Sequence, residues 1–255
     1  MRKRKLRILV TNDDGIHAPG LLSLKRALAK LGEVVAIAPE RPRSASGHAI
    51  TLHKPLRINR IHLPGGEVGY ATNGTPSDCV VLGMSELVGK PPHLVVSGVN
   101  VGGNLGEDLT YSGTVSAAME AAIFGVPSFA ISVVGEEEPD LTLAARFALK
   151  LARQILRRGL PRDTFLNVNM PAALSRRNCR VEITRQGRRR YEGRLERRVD
   201  LRGRDYYWLG GELCETAPTP GTDVEAVRRG HVSVTPIHLD LTNHAFLSQL
   251  TGWKL

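Results

Sequence analysis

Two adjacent carboxylates, Asp13 and Asp14, stand directly after a short apolar run that we predict to be a buried strand. Adjacent carboxylates repel each other, so a buried pair is costly unless a cation shares the site. A hard divalent cation removes that cost, because it prefers oxygen ligands such as carboxylates, amides, hydroxyls and water. The pair therefore favours a metal site, although Asp-Asp-Gly ending at Gly15 is also typical of an ordinary turn.

Other oxygen-bearing side chains follow the later strands of the predicted sheet. Ser44 and Ser46 lie beyond the second strand, and Ser97 and Asn100 belong to the end of the strand that starts near residue 93. In an open parallel sheet, ligands bind beyond the carboxyl ends of the strands. We therefore expect two carboxylates, several hydroxyls and an amide to converge at one edge of the sheet.

A Ser-Gly-Thr sequence, Ser112 to Thr114, opens a helix rich in small residues. A helix N-terminus presents free backbone N–H groups and the positive end of the helix dipole, and Gly113 allows close approach of an anion. Alone, the sequence indicates an ordinary N-cap with an Ala-rich face on the sheet. Beside a metal site, phosphate binding becomes the better interpretation.

Three common catalytic patterns are absent from the sequence. The glycines of SGVNVGGNLG do not match the dinucleotide spacing, no Walker lysine follows them, and no G-x-S-x-G serine occurs. The glycines there predict tight turns around the site, with Asn104 as a candidate substrate contact. The histidines form no recognisable triad, and we interpret them as surface or structural residues: His17, His48, His53, His231, His238 and His244.

Short apolar strands alternate with helical segments from residue 6 to about 174. This order predicts an α/β fold, with a mostly parallel sheet wound by helices on both faces. Gly32 is the predicted end of the first helix, and Thr75 with Pro76 the predicted start of the second. From 175 to 255 the pattern becomes strand-like around an Arg-dense run, so we predict a β-rich extension of one domain that spans 1–255.

The composition favours anionic partners and a reducing compartment. The formal net charge is +10, which attracts phosphorylated metabolites, polyphosphate and nucleic acid alike. Cys79, Cys179 and Cys214 are odd in number and lack C-x-x-C spacing, which argues against a disulfide framework. The basic start MRKRK precedes too short an apolar run for a signal peptide, and no stretch approaches the ~20 apolar residues of a membrane helix. We expect a cytoplasmic protein.

With these motifs in view, the sequence resembles the SurE (survival protein E) family of nucleotidases. The matching segments cover nearly the whole chain in the expected order: TNDDGIHAPG, APERPRSASGHAIT, GTPSDCVVLG, VVSGVNVGGNLGEDLTYSGTVSAAMEAA, PGTD and VSVTPIHLDLT. Jointly they are highly specific. The Arg-rich stretch 185–204 has no counterpart in this resemblance.

The resemblance implies a Rossmann-like core, a C-terminal arm used in homodimers or homotetramers, and one Mg²⁺ or Mn²⁺ per subunit. The implied substrates are nucleoside 5′-monophosphates, and in addition 3′-monophosphates and short polyphosphate. The implied metal ligands are Asp13, Asp14, Ser44 and Asn100. The implied phosphate-binding residues are Ser46, Gly47, Ser112, Gly113 and Thr114.

Two alternatives stay open beside metal-assisted hydrolysis by water. An aspartate after the first strand also suits an aspartyl-phosphate intermediate, although adjacent side chains of extended chain diverge. Arginine clusters near 188–198 could bind nucleic acid, but Tyr191 is the one stacking aromatic among them, and no nucleic-acid motif is present. Interspersed Arg and Glu at 192–198 favour a solvated face.

Overall fold

The computed structural model describes residues 6–135, 139–172, 179–213 and 219–253. The basic residues 1–5, Cys214 and the predicted boundary near 174–175 lie outside the described residues.

Strands and helices alternate along the first two thirds of the chain, as the sequence predicts. The strands are β1 (Arg7–Thr11), β2 (Glu33–Pro39), β3 (Ile58–Leu63), β4 (Glu67–Thr72), β5 (Leu94–Val101), β6 (Ser128–Val134), β7 (Thr164–Pro171), β8 (Val181–Ile183), β9 (Tyr191–Val199), β10 (Asp205–Leu213) and β11 (Val232–His238). The helices are α1 (Pro19–Leu28), α2 (Pro76–Leu82), α3 (Gly113–Ile123), α4 (Leu141–Arg158), α5 (Asp223–Arg228) and α6 (His244–Leu250). A π turn spans Gly83–Leu87, and a short 3₁₀ helix spans Gly106–Thr110.

Nine strands form one sheet in the order β3-β4-β2-β1-β5-β6-β7-β11-β8. The strands from β4 to β7 run parallel, while β3 is antiparallel to β4 and β11 is antiparallel to β7. β9 and β10 form a separate antiparallel hairpin. The prediction of a mostly parallel α/β sheet is confirmed, and β8 and β11 show that part of segment 175–255 belongs to that sheet.

Helices cover both faces of the sheet. Ile8 and Val10 of β1 point into the core shared with α1 and α4, whereas Leu9 points into the core shared with α2 and α3. Side chains alternate across a strand, so a strand covered on both faces reads as an unbroken apolar run. That is why β1, β5 and β6 stand out in the sequence. Among the described residues, no helix is long and apolar enough to cross a bilayer.

Local signals placed one helix boundary correctly and one wrongly. Thr75 caps α2 as predicted, because its hydroxyl accepts the Asp78 N–H at 3.1 Å while Asp78 Oδ2 accepts the Thr75 N–H at 2.8 Å. The prediction that α1 ends at Gly32 is wrong, since the helix ends at Leu28. Gly32 instead lies against Leu6, whose carbonyl oxygen would be only 2.3 Å from an added Cβ.

The extended segments were predicted less well than the buried strands. β3 pairs as a hairpin with β4, the strand that contains Tyr70, and the described residues 50–57 before it form no regular strand. β9 was missed inside the Arg-rich run, because polar side chains at successive positions hide the strand alternation. The short helices α5 and α6 were also missed.

Candidate functional site

The sheet reverses its winding direction between β1 and β5, which are neighbours at its centre. After β1 the chain passes through α1 to β2 on one side, and after β4 it passes through α2 to β5 on the other. Loops that leave the two strands in opposite directions open a crevice at the carboxyl edge, the usual ligand position in such sheets. A cavity of about 310 Å³ lies there. Its walls include Asp13, Asp14, Ser44, Asn100, Asn104, Asp108, Tyr111 and Ser112.

The turn after β1 is held by Asn12 and Gly15. Gly15 donates its N–H to Asn12 Oδ1, and Asn12 Nδ2 donates to the Gly15 carbonyl, both at 3.1 Å. Gly15 has a φ of +100°, which a residue with a Cβ rarely adopts. The turn-forming hydrogen bonds are thus made by Asn12, which leaves the side chains of Asp13 and Asp14 in the cavity wall.

Asp13 is almost fully buried, with 6% of its surface exposed. The hydroxyl of Thr114, in the first turn of α3, donates to Asp13 Oδ1. Burial raises the pKa of Asp13 above its ordinary value, and the Thr114 hydrogen bond opposes that rise. Thr114 therefore holds one carboxylate oxygen in a fixed direction and stabilises its charge.

Asp14 is less buried than Asp13 and has a strongly shifted pKa. Burial, followed by the neighbouring charge of Asp13, raises the pKa of Asp14 to about 6. The two carboxylates lie side by side and resist ionisation. A bound cation would stabilise their ionised form.

The loop after β2 is tied directly to the first aspartate. Arg43 donates its N–H to the Asp13 carbonyl at 2.8 Å, which brings the next residue, Ser44, to the cavity wall. Ser46 Oγ is buried and has no hydrogen-bond partner among the described residues. It lies near Gly113, where an added Cβ would be 2.9 Å away. Gly47 donates its N–H to the Tyr111 carbonyl at 2.9 Å, so that N–H is already engaged.

A bulge in β5 places Asn100 at the site. Ser97 pairs with Ala130 of β6 and Asn100 pairs with Ser132, so β5 carries one extra residue between them. Bulges next to active sites re-aim side chains in this way. Asn100 Nδ2 donates to the Gly102 carbonyl at 2.7 Å, which fixes the orientation of the amide. Ser97, expected to converge with the others, instead lies fully buried inside the sheet opposite Thr11.

The N-terminus of α3 meets the aspartate turn at very short range. Ser112 caps the helix by accepting the Val115 N–H at 3.1 Å, and it lines the cavity. Gly113 touches the turn so closely that an added Cβ would lie 2.8 Å from Asp13 Cβ. Because Ser112 takes the Val115 N–H and Asp13 takes the Thr114 N–H, this end offers an anion the positive end of the helix dipole and the close approach that Gly113 allows.

Asn104 lies in the cavity wall at the centre of a buried polar network. Its Nδ2 donates to Ser132 Oγ at 2.7 Å, and its carbonyl accepts from the amides of Asn167 and Asn169 at 2.8 and 3.0 Å. These bonds fix the Gly-rich loop between β5 and α3. The structure thus gives Asn104 a positioning role that its sequence context did not indicate.

Asp108 and Tyr111 were not among the predicted site residues, yet both line the cavity. Asp108 lies in the 3₁₀ helix, and Tyr111 lies between that helix and α3. Their only signal in the sequence was their place in the resemblance segment 95–122, which is too weak to single them out.

The donor set fits a hard divalent cation. Asp13, Asp14, Ser44 and Asn100 supply two carboxylates and two neutral oxygens on one cavity wall. Within the described ranges, no group of three or more His, Cys, Asp or Glu side chains is arranged to hold a metal, so two of the four ligands assigned here are neutral side chains. Burial, and at Asp14 also the charge of Asp13, raises the pKa of both aspartates, so a cation would stabilise the ionised pair.

The fold and cavity define a doubly wound α/β protein whose switch point holds a cavity lined by two aspartates and the N-terminal cap of a helix. Residues 8–193 match the family model described as Survival protein SurE, and the chain belongs to this family. The resemblance inferred from the motifs is thereby confirmed.

Relatives of the chain match it over nearly its whole length. The 5′-nucleotidase SurE of Geobacter sulfurreducens is 53% identical over 251 residues, which cover 98% of this chain and 94% of that protein. The 5′-nucleotidase SurE of Heliobacterium modesticaldum is 49% identical and covers 97% and 92%. The crystal structure of the SurE protein from Aquifex aeolicus, at 42% identity, superimposes with a TM-score of 0.83 over 96% of this chain and 98% of that one.

Proposed function

We propose that this enzyme hydrolyses nucleoside 5′-monophosphates to nucleoside and phosphate, with 3′-monophosphates and short polyphosphate as further substrates. The observation that carries the proposal is the meeting of Asp13 and Asp14 with the N-terminus of α3 at one cavity. The relatives named 5′-nucleotidase, up to 53% identical, support the substrate class. The net charge of +10 favours anionic substrates in general.

We infer that the cofactor is one Mg²⁺ or Mn²⁺ per subunit, held by Asp13, Asp14, Ser44 and Asn100. When bound, such an ion polarises a phosphoryl oxygen and lowers the pKa of a bound water. Asp14 is the better placed of the two aspartates to receive the water's proton, because Asp13 Oδ1 already accepts the Thr114 hydroxyl.

The start of α3 stabilises negative charge on the phosphoryl oxygens. The helix dipole acts where water is partly excluded, which strengthens its effect. The residues that we assign to phosphate are Ser46, Gly47, Ser112, Gly113 and Thr114. Thr114 acts mainly by orienting Asp13, and Gly47 by holding the loop to Tyr111.

A phosphate-release screen tests the proposal. Purified protein is incubated with 5′- and 3′-nucleoside monophosphates, short polyphosphate and unrelated phosphate esters, with Mg²⁺, Mn²⁺ or chelator. We expect turnover of nucleoside monophosphates that needs a divalent ion. Full turnover in metal-stripped protein with chelator would contradict the metal assignment, and no turnover of any nucleotide would contradict the function.

The two aspartates are tested by Asp13→Asn and Asp14→Asn. Each substitution should lower kcat by about 100-fold or more, the scale on which positioned acid–base groups contribute. Glu40→Gln, at an exposed position near the same loop, serves as the control and should behave like the unchanged protein. Substantial activity in both Asp variants, with unchanged circular dichroism, would move the site elsewhere.

The aspartyl-phosphate alternative predicts a covalent intermediate. Direct attack by water is favoured, because Asp13 Oδ1 is occupied by Thr114 and no second carboxylate two residues on shares its face of the chain. Recovery of a ³²P-labelled aspartate after a quench with labelled substrate would establish the alternative instead.

The nucleic-acid alternative has less support. Three hairpin arginines pair with carboxylates of the same hairpin, namely Arg197 with Asp205, Arg198 with Glu196 and Arg204 with Asp200. Charges neutralised in this way contribute little to phosphate-backbone binding.

We infer that the protein is a homodimer or homotetramer. Cross-strand pairing places Leu195 opposite Leu209 and puts Val199 and Tyr207 on the same hairpin face. All four side chains are more than half exposed, and an isolated two-stranded hairpin is marginal by itself. A second copy of the chain is the partner that we assign to this face. The cytoplasmic location stays a prediction, which cell fractionation tests.

A further inference from the structure

The Arg-rich run that the resemblance left unexplained begins as a segment bound to the cavity wall. We call residues 186–191 the strap. Gln186 Nε2 donates to the Gly106 carbonyl at 3.1 Å, and the Arg189 N–H donates to Glu107 Oε2 at 2.5 Å. Both acceptors belong to the 3₁₀ helix that contains the cavity residue Asp108 and is followed by the cavity residue Tyr111. The strap is therefore in direct contact with one wall of the site.

A buried aspartate and a glycine make this close contact specific. Asp223, fully buried, accepts the N–H of Gly106 at 2.9 Å and the N–H of Gly187 at 2.7 Å, so it joins the wall to the strap. At Gly106 an added Cβ would lie 3.1 Å from the Arg189 nitrogen, and its φ of +55° favours glycine. The strap and the wall are thus packed backbone against backbone.

Asp108 is the point at which the strap reaches the cavity. Its Oδ2 accepts from Arg189 Nη1 at 2.6 Å and from the Tyr191 hydroxyl at 2.7 Å. The guanidinium of Arg189 also lies 5.6 Å from the centre of the Tyr191 ring, within cation–π range. Only 19% of the Arg189 side chain and 20% of the Asp108 side chain are exposed, so solvent screens this pair less than an ordinary surface pair.

A carboxylate in this wall needs compensation, because the proposed substrate carries a phosphate dianion. Asp13 and Asp14 already make the cavity acidic. An unpaired Asp108 would add repulsion that acts on the phosphate group whatever its leaving group. Burial and the hydrogen bond to Asp108 raise the pKa of Tyr191, which keeps its hydroxyl protonated as a donor.

We propose that Arg189 and Tyr191 are positioning residues for the phosphate ester: Arg189 neutralises the charge of Asp108, and both residues hold Asp108 in the cavity wall. The proposal rests on the function proposed above. Arg189 and Tyr191 act electrostatically, because they set the affinity of the cavity for an anion. The nucleoside part of the substrate binds without their help. Because the strap continues directly into β9, the hairpin and this wall are mechanically joined.

The test compares Arg189→Gln, Tyr191→Phe, and Arg189→Gln combined with Asp108→Asn. Arg190→Gln is the matched control, since Arg190 is an exposed neighbour with no side-chain partner among the described residues. Affinity for inorganic phosphate is measured by calorimetry in Mn²⁺, and KM and kcat are measured with a nucleoside 5′-monophosphate. The inhibition constant of the uncharged nucleoside is measured beside them.

We expect Arg189→Gln to weaken inorganic phosphate binding and raise KM by about three- to tenfold, with a smaller change in kcat. Tyr191→Phe should have a weaker effect in the same direction, and added Asp108→Asn should restore most of the loss. The uncharged nucleoside should bind equally well throughout, and Arg190→Gln should match the unchanged protein.

Three results would overturn the inference: unchanged phosphate affinity in Arg189→Gln, equal weakening of phosphate and uncharged nucleoside, or no restoration by Asp108→Asn. The second of these is what a purely structural role of Arg189 predicts. Should Arg189→Gln fail to fold, Tyr191→Phe decides the same question, and unchanged phosphate affinity there overturns the inference. Absence of nucleotide turnover in the unchanged protein would contradict the proposed function alone, because phosphate binding is read separately.

Discussion

Thr114 shows how one residue outside the metal donor set can control it. Its hydroxyl donates to Asp13 Oδ1 from within the first turn of α3, and its side chain is fully buried. We expect Thr114→Val to lower the affinity for Mn²⁺ by about 10- to 100-fold, as loss of a ligand-orienting hydrogen bond does. Thr114→Ser keeps the hydroxyl and is the control. Equal Mn²⁺ affinity of the two variants by titration calorimetry would show that the hydrogen bond has no such role.

The raised pKa of Asp14 predicts how stability depends on pH in metal-free protein. An acid whose pKa is about 6 when folded and 3.8 when unfolded binds its proton more tightly in the folded chain. Its contribution to stability is therefore present below about pH 4 and is lost as the pH rises to about 6. Asp14→Asn has no such loss. Since Asp14 is partly exposed, we expect the variant to be more stable at pH 7 by only about 1–2 kcal/mol, or a few degrees in Tm.

Thermal unfolding in chelator between pH 3.5 and 8 measures this difference. The melting temperatures of Asp14→Asn and of the unchanged protein should be equal near pH 3.5. They should diverge as the pH rises to about 6 and differ by a constant amount above it. Excess Mn²⁺ at pH 7.5 should reverse the order, because only the unchanged protein keeps both carboxylate ligands. A constant difference at every pH would mean that Asp14 ionises at the same pH in the folded and unfolded chain.

At the scale of elements, the site depends on how closely α3 approaches the turn after β1. An added Cβ at Gly113 would lie 2.8 Å from Asp13 Cβ and 2.9 Å from Ser46 Oγ. We expect Gly113→Ala to push the helix away from the turn, cost about 1–3 kcal/mol of stability and remove most activity. Gly193→Ala is the control, because nothing lies within 4 Å of an added Cβ there. Activity close to that of the unchanged protein in Gly113→Ala would show that this contact is unimportant.

The strands that the sequence predicted are those that have the same apolar surroundings on both faces. β1, β5 and β6 are covered on both faces, so their apolar runs follow from burial alone. β9 was not predicted, because both of its faces carry polar or exposed residues, so no apolar–polar alternation marks it. What identifies it as a strand is its pairing with β10. Gly32 was wrongly predicted to end α1. A glycine is required there because Leu6 leaves no room for a Cβ, and rules for helix ends do not include such a tertiary contact.

The site residues that were predicted follow from the positions of strands in the sequence, whereas those that were missed depend on contacts between distant parts of the chain. Asp13 and Ser44 follow strands of the parallel sheet and Asn100 lies at the carboxyl end of one. Their meeting in one cavity therefore follows from a rule that needs no coordinates. Asp108 joins Arg189 across 81 positions of sequence, through a strap that no local pattern encodes. Contacts between a core loop and the C-terminal segment depend on the whole packed chain, and the sequence therefore could not show them.

At the scale of the whole molecule, the C-terminal elements have surfaces that their own chain does not cover. One such surface is the hairpin face, and another is α6, which has no buried residue. The rings of Phe246 and Trp253 there contact each other edge to face, with their centres 6.0 Å apart. Exposed apolar patches of this kind are typical of interfaces. A symmetric partner that buries the hairpin would also steady the strap and, through Asp108, the cavity wall.

We therefore predict a homo-oligomer whose interface includes the hairpin face defined by Leu195, Val199, Tyr207 and Leu209. Light scattering at micromolar concentration should give at least twice the 27.8 kDa of one chain. Leu195→Glu with Leu209→Glu places two like charges opposite each other on that face and should lower the mass, whereas Arg202→Glu in the hairpin turn should not. A mass near 27.8 kDa for the unchanged chain would rule the oligomer out. An unchanged oligomer in the double variant would place the interface on the core sheet or on α6.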